Sequence, residues 1–362
     1  MLTGIKILDL SRVLAGPLCS MMLGDLGADV IKVERPGSGD ETRGWGPPFD
    51  ARGESAYFLS VNRNKLSVAA DLDQPADVAL LQRLIAGADV VIDNYRRGAL
   101  ERRGLDPDAL VARHPRLVWC TISGFGADSA RPGYDFVVQA ESGWMAVTGD
   151  PAGDPMKTAV ALVDVVAGKD AAIAILGALV SRATTGRGRR ITTSLSASAT
   201  AALVNVAQNA LVTGQAPSRW GNAHANLVPY QLFDAADRAL VIAVGSDAQW
   251  AACARALSLD ALAADRTLDA NAGRVAQRDR VTAAIAARVA ERSADHWSGV
   301  LSEAGVPCGV VRPVLEALRD AAGASPLTGM PSSVGGTVRR PPPRLDEHGV
   351  AIRERGWAVF GE

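Results

Sequence analysis

The sequence predicts an α/β protein with an open, mostly parallel sheet, joined to a smaller α+β domain. Two observations carry the first part. Short apolar runs recur between residues 5 and 123, and a helix-length segment separates several of them from the next. A third observation carries the second part. Near residue 215 the alternation gives way to the turn-rich Gln215-Ala216-Pro217-Ser218, then to a β-like run followed by three helical patterns.

Residues 5–10, within Gly4-Ile5-Lys6-Ile7-Leu8-Asp9-Leu10, read as the first strand. Residues 17–26 read as a helix, with Pro17 near the first turn, where its missing N–H is no loss. Residues 28–34 form the next strand, 76–87 a helix, 89–93 a strand, 106–113 a short helix and 117–123 a strand. Ala171–Val180 is apolar enough for a buried helix. The large domain is expected to take residues 1–215 and the small one 225–315, with a strand at 239–244 and helices at 247–257, 274–291 and 296–304. Residues 316–362 are expected to return to the large domain, and 325–349, with Pro326, Pro331 and Pro341-Pro342-Pro343, to be extended.

Composition excludes several classes. The 362 residues carry 38 basic and 39 acidic side chains, a net charge of −1, so no bulk field draws the protein to nucleic acid or to an anionic membrane. Four scattered cysteines, Cys19, Cys120, Cys253 and Cys308, form no C-x-x-C pair. That argues for a reduced, cytoplasmic setting and against a zinc site or a disulfide framework. No apolar run approaches the roughly 18 to 20 residues that a membrane span needs. Between the first two strands there is no G-x-G-x-x-G, only Ala15-Gly16-Pro17, which disfavours a dinucleotide-dependent dehydrogenase.

The chemistry-bearing candidates lie in loops beyond strand ends, where ligands of parallel sheets bind. Asp164 stands out because it sits in an apolar run, Thr158 to Gly168. An acid there is either a satisfied core group or cap, or a carboxylate kept dry for use as a nucleophile or base. Arg35 follows the second strand, and Asn94-Tyr95-Arg96 follows the strand at 89–93. Arginines so placed, with Arg102, are candidates for pairing with phosphates, and Tyr95 for a stacking face; the alternative is solvated surface charge.

These pieces, taken in order, resemble family III CoA-transferases (the CaiB/BaiF family), which also includes α-methylacyl-CoA racemases. The resemblance rests on Leu8-Asp9-Leu10-Ser11-Arg12-Val13-Leu14-Ala15-Gly16-Pro17, on Leu26 to Glu34 continuing through Gly39-Asp40 to Arg43-Gly44-Trp45, and on Asn64-Lys65. It continues through Asp93 to Gly98, Pro132 to Phe136, Thr185 to Gly188, Gly221-Asn222-Ala223-His224 with Pro229-Tyr230-Gln231, and Ala304 to Cys308, covering essentially the whole chain.

The resemblance implies a Rossmann-like large domain built from both termini and an interlocked homodimer, each chain threading through its partner. It implies acyl-CoA and a carboxylic acid as substrates, with no metal and no permanently bound cofactor. It makes Asp164 the nucleophile, forming an aspartyl anhydride and then an aspartyl-CoA thioester. It also implies CoA contacts from Leu14, Ala15, Arg35, Asn94, Tyr95, Arg96 and Arg102.

Tyr134 stands where the racemases carry a histidine base. A phenol is a poor base near neutral pH, so transfer is favoured over racemisation, which stays the alternative. A non-catalytic CoA-binding protein is a second alternative, disfavoured by the intact Asp164. Asp135 either orients the acyl carboxylate, hydrogen-bonds beside the nucleophile, or caps the helix before Phe136. His224 is the one histidine inside a family motif and a candidate for the acyl pocket. Where some relatives carry a glycine-rich loop over the anhydride, this chain has Val244-Gly245-Ser246-Asp247, with one glycine.

Overall fold

The computed structural model describes residues 1–361. By its internal contacts the chain divides into two compact units. One comprises Met1–Met145, Lys157–Ala216 and the segment from Ala321 onward; the other comprises Ala146–Met156 and Pro217–Asp320.

The larger unit is a six-stranded, all-parallel sheet: β1 (Lys6–Asp9), β2 (Asp29–Glu34), β3 (Lys65–Ala69), β4 (Val90–Asp93), β5 (Val118–Ser123) and β6 (Arg190–Ser194), in the order β3-β2-β1-β4-β5-β6. This is the doubly wound order, whose direction of growth reverses between β1 and β4. The inner strands are apolar at successive positions because both faces are covered. Alternation sorts them: Ile7, Val30, Val90, Ile92, Val118 and Cys120 pack on one face, and Leu8, Ile31, Val91 and Trp119 on the other. The first face is covered by α1 (Ala15–Asp25) and by a 24-residue helix, Leu162–Thr185, hereafter the long helix. The long helix begins well before the segment read as helical from sequence. The second face is covered by Pro75–Ala86 and, through Ile352, by the C-terminal helix Gly349–Arg355.

α1 and the long helix touch closely. A Cβ added at Gly168 would lie 2.6 Å from the Ala15 carbonyl oxygen, so glycine is required there for the approach.

An ionic network lies buried beside β1, β2 and β3. Asp9 accepts from Lys65 Nζ at 3.1 Å, from Ser20 Oγ at 2.5 Å and from the Ser11 amide and hydroxyl. Lys65 also donates to the Pro17 carbonyl and to Asn62 Oδ1, each at 2.9 Å. Lys32 Nζ reaches Asp40 Oδ2 at 2.9 Å, and both side chains are fully buried. Arg43 pairs with Glu34 beside them. Burial opposes the charge on Asp9, but Lys65 and Lys32 with the two serine hydroxyls hold its carboxyl down at about 2. Burial pushes the Lys65 ammonium down to about 8 in spite of Asp9, and both groups stay ionised at neutral pH.

The chain from Ala321 onward runs over the larger unit as a strap. The Thr337 amide donates to the Asp25 carbonyl, Asn64 accepts from the Arg339 and Arg340 amides, and Asp346 accepts from the Ala69 amide.

The smaller unit holds an antiparallel sheet, β7 (Tyr230–Asp234), β8 (Ala239–Ala243) and β9 (Cys308–Val310), in the order β7-β8-β9. Its core includes Leu240, Ile242, Trp250, Cys253, Ile285 and Trp297. Helix Asp247–Ala256 is capped by Ser246 and helix Ala294–Glu303 by Ser293.

Lys65→Met is expected to leave Asp9 buried without its main counter-charge and to lower stability by about 3–5 kcal/mol. Urea unfolding followed by circular dichroism measures this. The double variant Asp9→Asn/Lys65→Met, which strands no charge, should recover most of the loss; a Lys65→Met cost under about 1 kcal/mol would contradict a tightly paired network.

Candidate active site

A cavity of about 450 Å³ opens at the carboxyl ends of the strands, at the reversal between β1 and β4. The loop Arg12–Ala15 after β1 forms one wall, and Asp93–Arg97 at the end of β4 another. Thr121 to Gly124 from β5, Tyr134, Arg190 and Thr192 of β6, and Asp164 complete it. A second cavity of about 150 Å³ is lined by Arg35, Leu72 and Arg103, and Arg12 and Tyr95 border both. The Arg12 guanidinium lies 5.4 Å from the Tyr95 ring centroid.

Of the residues singled out from sequence, Leu14, Ala15, Asn94, Tyr95, Arg96, Tyr134 and Asp164 come together at the larger cavity. Arg35 stands at the smaller one. Arg102, on the turn Glu101–Arg103, lines neither. His224 belongs to the smaller unit, where its Nδ1 accepts from the Asn226 amide at 3.0 Å and its ring tilts against Tyr230.

Asp164 is the third residue of the long helix, whose N-cap, Ala161, has no side chain able to cap it. Asp135 does so from another helix, Asp135–Glu141. Its Oδ1 accepts from the Val163 amide at 2.8 Å and the Asp164 amide at 3.3 Å. Its Oδ2 accepts from Gln139 Nε2 at 2.6 Å, and Gln139 Oε1 accepts from the Thr158 amide. Asp135 therefore caps the long helix rather than its own, where no side-chain cap is made.

Asp164 itself is half-buried. Among the described residues no hydrogen bond reaches its carboxylate oxygens. Burial, then the charge of Asp135, pushes its pKa up to about 7. Burial and the charges of Asp164 and Asp135 push the Tyr57 phenol up to about 12. The result is a carboxylate poised between its two protonation states near neutral pH, without a counter-ion, at the edge of a cavity edged by arginines. Such a group can act as a nucleophile or a general base.

Sequence reasoning missed Arg12, Val13, Arg131 and Arg190 as cavity residues. Arg131 stacks on Phe125 at 4.1 Å and pairs with Glu141, and Arg190 approaches Asp108 at 3.6 Å. Their placement depends on strand order, which no local pattern displays. Among the described residues, no group of three or more His, Cys, Asp or Glu side chains is arranged to hold a metal ion.

The family model for CoA-transferase family III matches residues 2–349. The chain belongs to CoA-transferase family III. The enzyme is 40% identical to succinyl-CoA:glutarate CoA-transferase of Mus musculus over 96% of its own length and 84% of the relative's. It is 41% identical to succinate–glutarate CoA-transferase of Agrobacterium fabrum, covering 88% of this chain and 82% of that one. A crystal structure of a CaiB/BaiF family protein from Brucella suis superposes with a TM-score of 0.86 at 39% identity, over 97% of this chain and 98% of that one. The fold and the family expected from sequence are both found, and the protein is a CoA-transferase.

An acid whose pKa is higher folded than unfolded takes up protons on folding, here between its ordinary value of 3.8 and about 7. Its contribution thus turns increasingly against stability as pH rises through that window. Asp164→Asn is expected to raise the melting temperature at about pH 8 and to change it little at about pH 4. Thermal melts of both proteins at the two pH values check this, and equal shifts at both would contradict it.

Proposed function

We propose that this transferase moves CoA from an acyl-CoA thioester to a free carboxylic acid with Asp164 as the covalent nucleophile. The observation that carries the proposal is the half-buried, unpaired carboxylate at the switch-point cavity. One carboxylate oxygen attacks the thioester carbonyl, the C–S bond breaks, and an aspartyl anhydride and CoA thiolate result. The thiolate attacks the aspartyl carbonyl, releasing the donor acid and leaving an aspartyl-CoA thioester. The acceptor carboxylate attacks that thioester to give a second anhydride, and the thiolate then takes the acceptor acyl group and frees Asp164. Each step exchanges one acyl–oxygen or acyl–sulfur bond for another, so no redox partner is needed.

The arginines fit anionic substrates. Arg96 at the larger cavity and Arg35 at the smaller one are the candidates for CoA phosphates, and Arg102, on a turn outside both cavities, is a third, with Asn94, Tyr95, Leu14 and Ala15 along the thioester arm. Relatives named for succinyl-CoA and glutarate support a short dicarboxylate pair. Tyr134, 60% exposed at the cavity, is the residue that turns the reading away from α-proton exchange. Asp135, whose Oδ1 accepts from the Val163 and Asp164 amides, is the residue proposed to orient the nucleophile's helix.

A homodimer is part of the same proposal. Helix Val204–Thr213 buries none of its residues, and Val204, Leu211 and Val212 are each at least 69% exposed. An apolar face of that kind is suited to a partner subunit. No single helix among the described residues is long and apolar enough to cross a membrane.

Asp164→Ala is expected to abolish CoA transfer from succinyl-CoA to glutarate while CoA still binds. With donor but no acceptor, hydroxylamine should trap an aspartyl hydroxamate at Asp164, identified by peptide mass spectrometry. A variant retaining more than about a tenth of the rate, a barrier change of only ~1.4 kcal/mol, would remove Asp164 from the mechanism. In deuterated water the α-carbon of a 2-methylacyl-CoA should stay unlabelled; rapid labelling without a free acid would favour racemisation instead.

Light scattering on a sizing column should give a dimer mass, and Leu211→Glu should shift it toward monomer. A monomer in the wild type at micromolar concentration would overturn the proposed assembly.

A further inference from the structure

Val13 adopts a φ of +71°, in the left-handed region that a β-branched side chain disfavours. It stands in the cavity wall, between β1 and α1. A strained residue persists only where its surroundings over-determine it. Here they do so at three successive positions. The Ser11 carbonyl accepts from Lys32 Nζ at 2.9 Å. Arg12 is clasped by Asn94, whose Oδ1 accepts from the Arg12 amide at 3.0 Å and whose Nδ2 donates to the Arg12 carbonyl at 2.8 Å. The Val13 amide donates to both oxygens of Asp40, at 3.3 and 3.2 Å. Asp40 is in turn fixed by fully buried Lys32 and by the amide and hydroxyl of Thr42, at 3.0 and 2.8 Å.

The next residues carry the effect toward the reacting group. Leu14 and Ala15 line the cavity, and the Ala15 carbonyl is the surface against which Gly168 of the long helix rests, one turn beyond Asp164. The shape of the Val13 turn therefore sets both the wall beside Asp164 and the seat of the helix that carries it.

We infer that Asp40, held by Lys32, is a positioning residue for the transfer reaction, acting through the backbone of Val13 rather than by touching substrate. This rests on the reading of the Asp164 cavity as the transfer site. It separates two jobs of Asp40. One is to balance the Lys32 charge, which concerns stability. The other is to hold a turn that valine does not adopt readily, which concerns rate. Glycine adopts the left-handed region without that penalty, so a glycine at position 13 needs the clamp less.

The test compares wild type, Asp40→Asn and Asp40→Asn/Val13→Gly as full-length proteins, by succinyl-CoA to glutarate transfer and by thermal melting. Asp40→Asn should lower kcat at least about tenfold and lower the melting temperature. The double variant should regain most of the lost rate while its melting temperature stays low, because Lys32 still lacks its partner. An unchanged kcat in Asp40→Asn, or a loss that the glycine does not restore, overturns the inference. If Asp40→Asn does not fold, Lys32→Met/Asp40→Asn, which leaves neither buried charge of the pair without its partner, takes its place, with and without Val13→Gly, and the loss and recovery of kcat alone then decide. Hydroxylamine trapping on wild type keeps the two readings apart. Failure to trap at Asp164 removes the assumed site, whereas trapping together with an unchanged Asp40→Asn rate removes only the clamp.

Discussion

The pairing of two buried lysines with two buried aspartates is the constraint on which the larger unit depends. Asp9 ends β1, Lys32 lies on β2 in register with it, and Lys65 opens β3. Each cation also holds backbone: Lys32 the Ser11 carbonyl, Lys65 the Pro17 carbonyl. The connection from β1 to α1 is thereby tied to its neighbouring strands by charge-assisted bonds inside the protein, where water cannot compete. In dinucleotide-binding proteins with this strand order the same connection is shaped by glycines. Here a network of side chains shapes it, and the cavity wall is made from what that network fixes.

The same molecule treats its buried acids in two opposite ways. Asp9, Glu34 and Asp40 lose much to burial but recover more from lysine, arginine and hydroxyl neighbours, and all three are held below their ordinary values. Asp164 has no such neighbour and faces Asp135, so burial and repulsion act in the same direction. Asp93 is also raised, by burial, although Thr121, Trp119 and the Tyr95 amide all donate to it. A carboxylate with every oxygen satisfied is structural material; one left without donors is free to form a bond. The contrast within one domain sets Asp164 apart more sharply than its exposure does.

Much of this was legible beforehand. The strands at 5–10, 28–34, 89–93 and 117–123 lie within a residue or so of β1, β2, β4 and β5, because buried parallel strands are nearly continuous apolar runs. β3 and β6 were not legible. Lys-Leu-Ser-Val-Ala and Arg-Ile-Thr-Thr-Ser carry polar groups whose partners come from remote segments or from the sheet edge. The sequence marks the long helix only from residue 171; Gly168 carries a helix penalty, which its close packing against Ala15 overrides. At the site, an acid in an apolar run was visible by its incongruity. Asp40 and Val13 were not, since nothing in Gly39-Asp40 announces a hydrogen bond to an amide 27 residues earlier.

The strap from Ala321 onward closes over turns and strands made near the start of the chain, at Asp25, Asn64 and Ala69. The smaller unit is encoded between the two parts. In chain order the first strands thus lie far ahead of the segment that completes their hydrogen bonding, and the Asn64 side-chain oxygen accepts from amides 275 and 276 residues further on. The larger unit therefore completes that edge through contacts of high sequence separation, whose loop-closure entropy the rest of its folding must offset.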